Sequence, residues 1–399
     1  MEFILIAPLV VLCALWIAIF AYLSWALKQL PFFERQTVAP PEHWPWLSVI
    51  VPACNEAAHL ESAARTILGQ DYPQLEVILV DDRSTDGTGP LIDLLAREDA
   101  RVKAIHIDKL PDGWLGKVHA LHRGVDRAEG EWLLFTDADV HFAPTTLRRA
   151  IAYAIHQQTD HLTLIPRTIQ TGFWLDVAVR AFSLLFLLGT GAATINRAGS
   201  RAFVGIGAFN LVKAKTLSRT PGLEWLRLEP GDDVGLGMMI KQAGGITRLA
   251  FAQNDLSVEW YASVPAMFRG LEKNLFGPGC DYRWWRLVAQ IVAIVSFVVA
   301  PGLMIGLGVM KGNPGLIVIG CAAVAAHILF ALLSPTGKRQ EIYSLLLFPA
   351  GLLMIAAILW RAGYKCLKND GVDWRGTHYP LAQLRAGQRV KLMRTRERK

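Results

Sequence analysis

Asp137 and Asp139 stand one residue apart at the end of the run Glu131-Trp-Leu-Leu-Phe-Thr-Asp-Ala-Asp-Val140. An apolar strand ending this way delivers two carboxylates to its C-terminal edge, where open α/β sheets place their ligands. Oxygen ligands at that spacing suit a hard divalent cation, which keeps some waters and also holds a substrate's phosphates. Metal plus diphosphate is therefore the chemistry expected. Asp-x-Asp alone is a weak pattern, because Asp also favours turns and helix caps. Its company decides.

Three other polar clusters accompany it. Val51-Pro52-Ala53-Cys54-Asn55-Glu56 closes one apolar run, and Val80-Asp81-Asp82-Arg83-Ser84-Thr85-Asp86-Gly87-Thr88 closes the next. Both set polar groups beside a helix start, where backbone N–H groups attract anions and a carboxylate can accept a base's N–H. Read blandly, Asn55, Ser84 and Thr85 are caps and Gly87 is a turn. The third cluster, Leu228-Glu229-Pro230-Gly231-Asp232-Asp233, opens a helical pattern, and a helix dipole favours acids there whatever the function. His119, His122 and His141 lie near these motifs without the spacing of a ligand set.

The elements that must position these groups follow from periodicity. Apolar runs at 47–52, 75–80, 102–107 and 132–136 alternate with helical patterns at 56–69, 88–97, 117–128 and 144–157. This is the signature of parallel β-α-β units in a doubly wound sheet. The run Phe-Val-Gly-Ile-Gly-Ala-Phe-Asn ending at Asn210 reads as a glycine-rich strand open to close approach by a sugar or acceptor.

Around this domain the chain is strongly apolar: 52% of its 399 residues are hydrophobic, and mean hydropathy is +0.31. Phe3 to Leu27 exceeds the roughly 20 residues a helix needs to cross a bilayer. It lacks a basic start and a cleavage site, so it reads as an uncleaved anchor. Further apolar stretches lie at 287–310, 315–334 and 343–360, and residues 176–195 form one inside the domain that reads as a membrane-lying helix admitting a lipid. The expected organisation is an anchor (1–30), a catalytic domain (45–280), a membrane bundle (286–360) and a basic tail (361–399). The tail carries a net +8, which exceeds the +7 of the whole chain. Beside a membrane such charge marks the cytoplasmic side; no base-reading module accompanies it, so nucleic acid is not an expected partner. Domain and tail on one side require an even number of crossings between them, yet three stretches intervene. Either one is re-entrant, with Pro301-Gly302 as a possible break, or the tail lies outside. Five scattered cysteines suit a reducing compartment without a disulfide framework or zinc site.

Taken in order, Pro52, Glu56, Asp81-Asp82, Gly116-Lys117 and Asp137-Ala-Asp139 resemble the nucleotide-sugar half of a family 2 glycosyltransferase with the A-type fold, a Rossmann-like mixed sheet. The resemblance spans roughly residues 47–275. It implies that Pro52, Asn55, Glu56, Asp81 and Asp82 surround the nucleoside, with Asp82 or Asp81 contacting the base. Asp139 would be the metal ligand and Asp137 its partner, for Mg²⁺ or Mn²⁺, with Lys117 near the phosphates. The pair Asp232-Asp233 would supply the general base, and Asp233 aligns best. Membrane members of the family carry Gln-x-x-Arg-Trp before their C-terminal helices; here Cys280 replaces the glutamine while Arg283 and Trp284 match. That departure argues against a processive polysaccharide synthase, and Arg283, Trp284, Trp285 and Arg286 read equally well as an interfacial belt. Trp374-Arg375-Gly376-Thr-His-Tyr379 resembles the ending of relatives that act on hopanoid-, carotenoid- or ceramide-type lipids. The implied protein is a multi-pass inner (plasma) membrane enzyme with a cytoplasmic catalytic domain. It would move one sugar from a nucleotide-sugar, by family weighting a UDP-sugar, to a lipid hydroxyl with inversion. The competing readings are polysaccharide elongation and a non-catalytic nucleotide-sugar scaffold.

Overall fold

The computed structural model describes residues 2–169, 172–334 and 339–391. The basic residues from 392 onward, counted in the expected tail, lie outside the described residues. Helix α1 (Glu2–Gln29) leads into the first parallel units: β1 (Leu47–Ala53), α2 (Ala57–Leu68), β2 (Leu75–Asp82), α3 (Thr88–Glu98), β3 (Val102–Ile107), α4 (Gly116–Val125) and β4 (Trp132–Phe135). Every residue of β2 is buried, as expected of a strand covered on both faces. β1 pairs in parallel with both β2 and β4, Val49 lying opposite Val77 on one side and Leu134 on the other.

Beyond β4 the sheet changes character. β5 (His141–Phe142), α5 (Thr146–His156), β6 (His161–Thr168) and α6 (Phe173–Thr190) precede β7 (Asn210–Lys213), α7 (Ala214–Leu217), α8 (Asp232–Gln242) and β8 (Thr247–Val258). The strand order is β3-β2-β1-β4-β7-β6-β8-β5, with β7 antiparallel to both β4 and β6, and β8 parallel to β6. The parallel units are thus half of a mixed sheet. The glycine-rich segment expected as a strand is irregular until Asn210, because its glycines accommodate the start of α8 instead of a neighbouring strand.

The chain continues through α9 (Val264–Cys280), α10 (Trp284–Met310), α11 (Pro314–Leu333), α12 (Arg339–Leu346) and α13 (Phe348–Lys368). Among the described residues, α1, α6, α10, α11 and α13 are long and apolar enough to cross a membrane. The stretch expected at 343–360 is divided between α12 and α13, with Pro349 in the first turn of the second, where its missing N–H costs nothing. Helix α6 belongs to the bundle core: Val179, Ala181 and Leu184 are buried together with Phe20, Phe330, Leu352 and Ile355. A Cβ on Gly351 of α13 would come within 2.6 Å of the Ala181 methyl, so the two helices cross at near-backbone contact.

Residues 371–391 are not a bare solvated run. Strands β9 (Gly371–Trp374) and β10 (Thr377–Pro380) form an antiparallel hairpin, and α14 (Leu381–Gly387) follows. Tyr379, Leu381 and Leu384 join the core under α4 with Val118, Leu121 and Phe276. The Glu229 carboxylate, fully buried, accepts the backbone N–H of Arg389 at 2.7 Å and of Val390 at 2.9 Å, fastening the tail to the segment before α8.

Candidate active site

Side chains at successive positions of a strand face opposite ways, and this separates Asp81 from Asp82. Asp81 accepts the Ser84 N–H at 3.1 Å and lies 3.3 Å from the His106 ring, toward α3. Asp82 faces the start of α4, where a Cβ on Gly116 would fall 2.2 Å from its Oδ2. Arg83, held at φ 59°, folds back onto Asp82 with two hydrogen bonds of 2.7 and 3.0 Å. Asn55, at φ 56°, is a bridge and not a cap of α2: its side-chain oxygen accepts the Thr85 N–H at 2.7 Å, and its own N–H donates to Ser84 Oγ at 3.0 Å. The Glu56 N–H donates to Thr88 Oγ1 at 2.9 Å. The loops after β1 and β2 are thereby tied into one wall, with Pro52 half-buried just before it.

The acidic groups converge one turn away. Lys117, in the first turn of α4, reaches Asp137 at 2.7 Å and Asp232 at 3.5 Å. One cavity is lined by Lys117, Thr136, Asp137, Gly207, Asp232 and Asp233 over an apolar floor that includes Leu121, Phe135 and Leu236. Asp233 accepts the Gly207 N–H at 3.0 Å and the Val234 N–H at 2.8 Å, which fixes its carboxylate at the head of α8. The glycines before β7 make this possible. A Cβ on Gly205 would stand 1.8 Å from the Asp233 carbonyl oxygen, and one on Gly207 would stand 2.5 Å from Asp137 Oδ2. Asp139 and Asp82 are not in the wall of this cavity; Asp139 lies where it feels both Asp137 and Glu56, and Asp82 abuts Gly116, next to Lys117.

Burial sets the electrostatics. It pushes Asp233 up to about 7, with Asp232 the next cause. Burial also pushes Asp139 up to about 7, assisted by Asp137 and Glu56. Asp232 is raised for the same first reason. Burial alone would lower Lys117, but the carboxylates of Asp137, Asp232 and Asp233 outweigh it and keep the ammonium charged. A group with a pKa near neutrality is suited to take a proton at ordinary pH.

Arg283 and Trp284 are exposed at the start of α10, with Trp284 65% exposed and Trp285 49%. They are not brought to the aspartates. Residues of the tail that the sequence reading gave no individual role do arrive. Tyr379 Oη accepts the Gly116 N–H at 3.3 Å, and Thr377 accepts from Arg83 at 3.2 Å. Arg375 donates to the Cys54 carbonyl and to Glu56. The Trp-basic-Gly-x-x-Tyr spacing of the tail was the signal for them. Tyr261 senses Asp137 and Asp139, and an aromatic series leads away from it. Trp260 lies 4.9 Å from Tyr261 between ring centres, and Phe182 of α6 lies 5.0 Å from Trp260.

The glycosyl transferase family 2 model matches residues 48–219, the stretch that holds Asp82, Lys117 and the Asp137-Asp139 pair. The chain carries a family 2 glycosyltransferase domain. Among curated proteins, it is 38% identical over 95 residues to the GalNAc(5)-diNAcBac-PP-undecaprenol beta-1,3-glucosyltransferase of Campylobacter jejuni, covering 24% of this chain and 30% of that one. It is 36% identical over 118 residues to a PGL/p-HBAD biosynthesis glycosyltransferase of Mycobacterium bovis, covering 29% and 44%. The chain thus spans less than half the length of these curated relatives. Among solved structures, a mannosyltransferase of Pyrobaculum calidifontis, in complex with GDP-Man and Mn2+, superposes with a TM-score of 0.53 at 21% identity, over 88% of this chain and 97% of that one. That likeness establishes the A-type glycosyltransferase fold.

Proposed function

We propose that the protein is an inverting glycosyltransferase that moves a single sugar from a nucleotide-sugar, preferentially a UDP-sugar, to a hydroxyl of a membrane lipid. One observation carries the reading: Lys117 bridges Asp137 and Asp232 in a cavity that also holds Asp233. Carboxylates nearly a hundred residues apart thus meet around one cation, as a donor-and-base site requires.

The nucleoside is assigned to the wall formed by Pro52, Asn55, Glu56 and Asp82. Asp82 takes the base-contacting role over Asp81, which is engaged toward α3. Asp233 removes the proton from the acceptor hydroxyl as its oxygen attacks the anomeric carbon, while Lys117 offsets charge growing on the departing diphosphate. Displacement by one attack from the opposite face inverts the configuration. Asp137 and Asp139 fit a hard divalent cation: both donors are carboxylates, and burial, with Asp137 and Glu56, raises Asp139 in a way that a dication would relieve. Held there, Mg²⁺ or Mn²⁺ would supply further neutralisation of the diphosphate.

The series Phe182, Trp260 and Tyr261 supports a lipid acceptor, since it joins α6 in the apolar bundle to the aspartate pair. The tail supports a topology. Arg375 touches Glu56, so tail and catalytic domain share a side, cytoplasmic by the charge of the tail. An even number of crossings then lies between them. We assign these to α10 and α11, with α6 and α13 along the inner face of the plasma membrane; Arg361 and Lys365 of α13 pair with Glu272 of α9, which keeps that helix against the domain. Mass spectrometry of lipids from cells with and without the protein tests the function. A mass difference of one sugar on one lipid class is expected; loss of a long polymer, or no change, overturns it.

A further inference from the structure

The donor reading leaves one set of groups without a task. Strands β9 and β10 join through Arg375 at φ 49° and Gly376 at φ 77°, and Trp374 pairs with Thr377. Two central residues with positive φ make a type I′ turn, which here carries an arginine at the tip of a rigid hairpin. The hairpin lies on the nucleoside wall through contacts from Arg375 to Glu56 and the Cys54 carbonyl, from Thr377 to Arg83 and from Tyr379 to Gly116.

Lys273 of α9 completes the arrangement. Its ammonium lies 3.5 Å from the centre of the Trp374 ring and has no carboxylate at ion-pair distance among the described residues. Its charge interacts with Lys117, Asp232, Arg375 and Asp137, so it lies near both the hairpin and the acidic cavity. Three cationic side chains, Arg375 on Glu56, Lys273 on Trp374 and Lys117 on Asp137, therefore gather beside the nucleoside wall and the proposed reaction centre. Lys117 and Arg375 each have a carboxylate partner, whereas burial followed by Lys117 pushes the unpaired Lys273 ammonium down to about 7. A diphosphate lying beside them supplies Lys273 with its missing partner.

We propose that Lys273 and Arg375, held by the C-terminal hairpin on the same side of the site as Lys117, bind the diphosphate of the nucleotide donor. The inference rests on the donor reading above. It makes the tail a part of the donor site, with Trp374 holding the Lys273 ammonium against its ring face.

The test uses the full-length protein in detergent and measures competition by UDP, GDP and uridine for a fluorescent nucleotide. Lys273→Met and Arg375→Ala are each expected to weaken the preferred diphosphate about tenfold to a hundredfold, the worth of a charged hydrogen bond. Uridine, which has no phosphates, should change less than about threefold. Lys273→Arg should restore most of the diphosphate affinity, which a merely structural role for the position does not predict. Equal losses for UDP and uridine, or diphosphate affinity unchanged in both variants, overturn the proposal while the donor reading stands. Wild-type protein that binds neither diphosphate overturns the donor reading and this inference with it.

Discussion

Gly205→Ala should remove catalysis without touching any ionisable group. The added Cβ would stand 1.8 Å from the Asp233 carbonyl oxygen and 2.5 Å from its carbonyl carbon. Real contacts of this kind do not fall below 3.0 Å, so roughly 1.2 Å must be found by movement of backbone against backbone. The same close approach recurs further along α8, where a Cβ at Gly237 would stand 2.0 Å from the Val204 carbonyl oxygen. The start of α8 must therefore back away from the Gly205 segment, stretching the 3.0 Å bond from the Gly207 N–H to Asp233. A misplacement of about 1 Å at a reacting group costs on the order of 10²-fold in rate, and forced overpacking costs about 1–3 kcal/mol of stability. The assay is sugar transfer to the lipid fraction, with UDP affinity measured on the same sample to report that the nucleoside wall is intact. Gly306→Ala is the control, since open space surrounds that position. Full transfer and an unchanged melting temperature in Gly205→Ala would refute the argument that this glycine lets Asp233 reach its position.

Asp233→Asn should lower transfer by about 10²–10⁴-fold, the usual worth of a general base, with UDP affinity nearly unaltered; undiminished transfer takes Asp233 out of the mechanism. In the wild type the base works only when ionised, and burial raises it to about 7. The rate should accordingly fall as pH drops through neutrality, and a rate flat from pH 8 to pH 5 contradicts the assignment. Asp139→Ala should abolish the strengthening of donor binding by Mn²⁺ or Mg²⁺, and equal wild-type affinity with and without the ion dismisses the metal assignment. Trp260→Ala should raise the KM for the lipid at least several-fold and leave that for the donor in place; a rise confined to the donor would place the acceptor route elsewhere.

The parallel half of the sheet was legible because each strand is an apolar run followed by a helical pattern, and β1 to β4 fall within a few residues of the runs that announced them. The mixed half was not. β7 has four residues and β5 two, too short for a period to register, and their pairing depends on partners far along the chain. The positions of Asp82, Lys117 and Asp137 were legible for the same reason as the strands that end beside them. Two features resisted reading. The alternation of strand side chains separates Asp81 from Asp82, but only the neighbours, His106 for one and Gly116 for the other, show which faces α3 and which the start of α4. The glycines at 205 and 207 suggested a ligand approaching the backbone, whereas what approaches is the Asp233 carbonyl and the Asp137 carboxylate.

The tail shows the limit most clearly. Hydropathy is a property of a segment, so it counts three apolar stretches after the domain and leaves the parity of the crossings open. The contact that bears on parity joins Arg375 to Glu56 across 319 positions of chain, and no local pattern encodes it. The short motif around Trp374 did encode the tight turn: only a residue pair tolerant of positive φ closes a two-residue hairpin, and glycine at the second place supplies half of that tolerance. The turn aims Arg375 at the nucleoside wall, and the Glu229 carboxylate holds the chain beyond it in place through two backbone N–H groups. A glutamate fully buried to receive the tail is a substantial desolvation cost for a segment with no task. It is understandable if the tail completes the site in which the domain holds its donor.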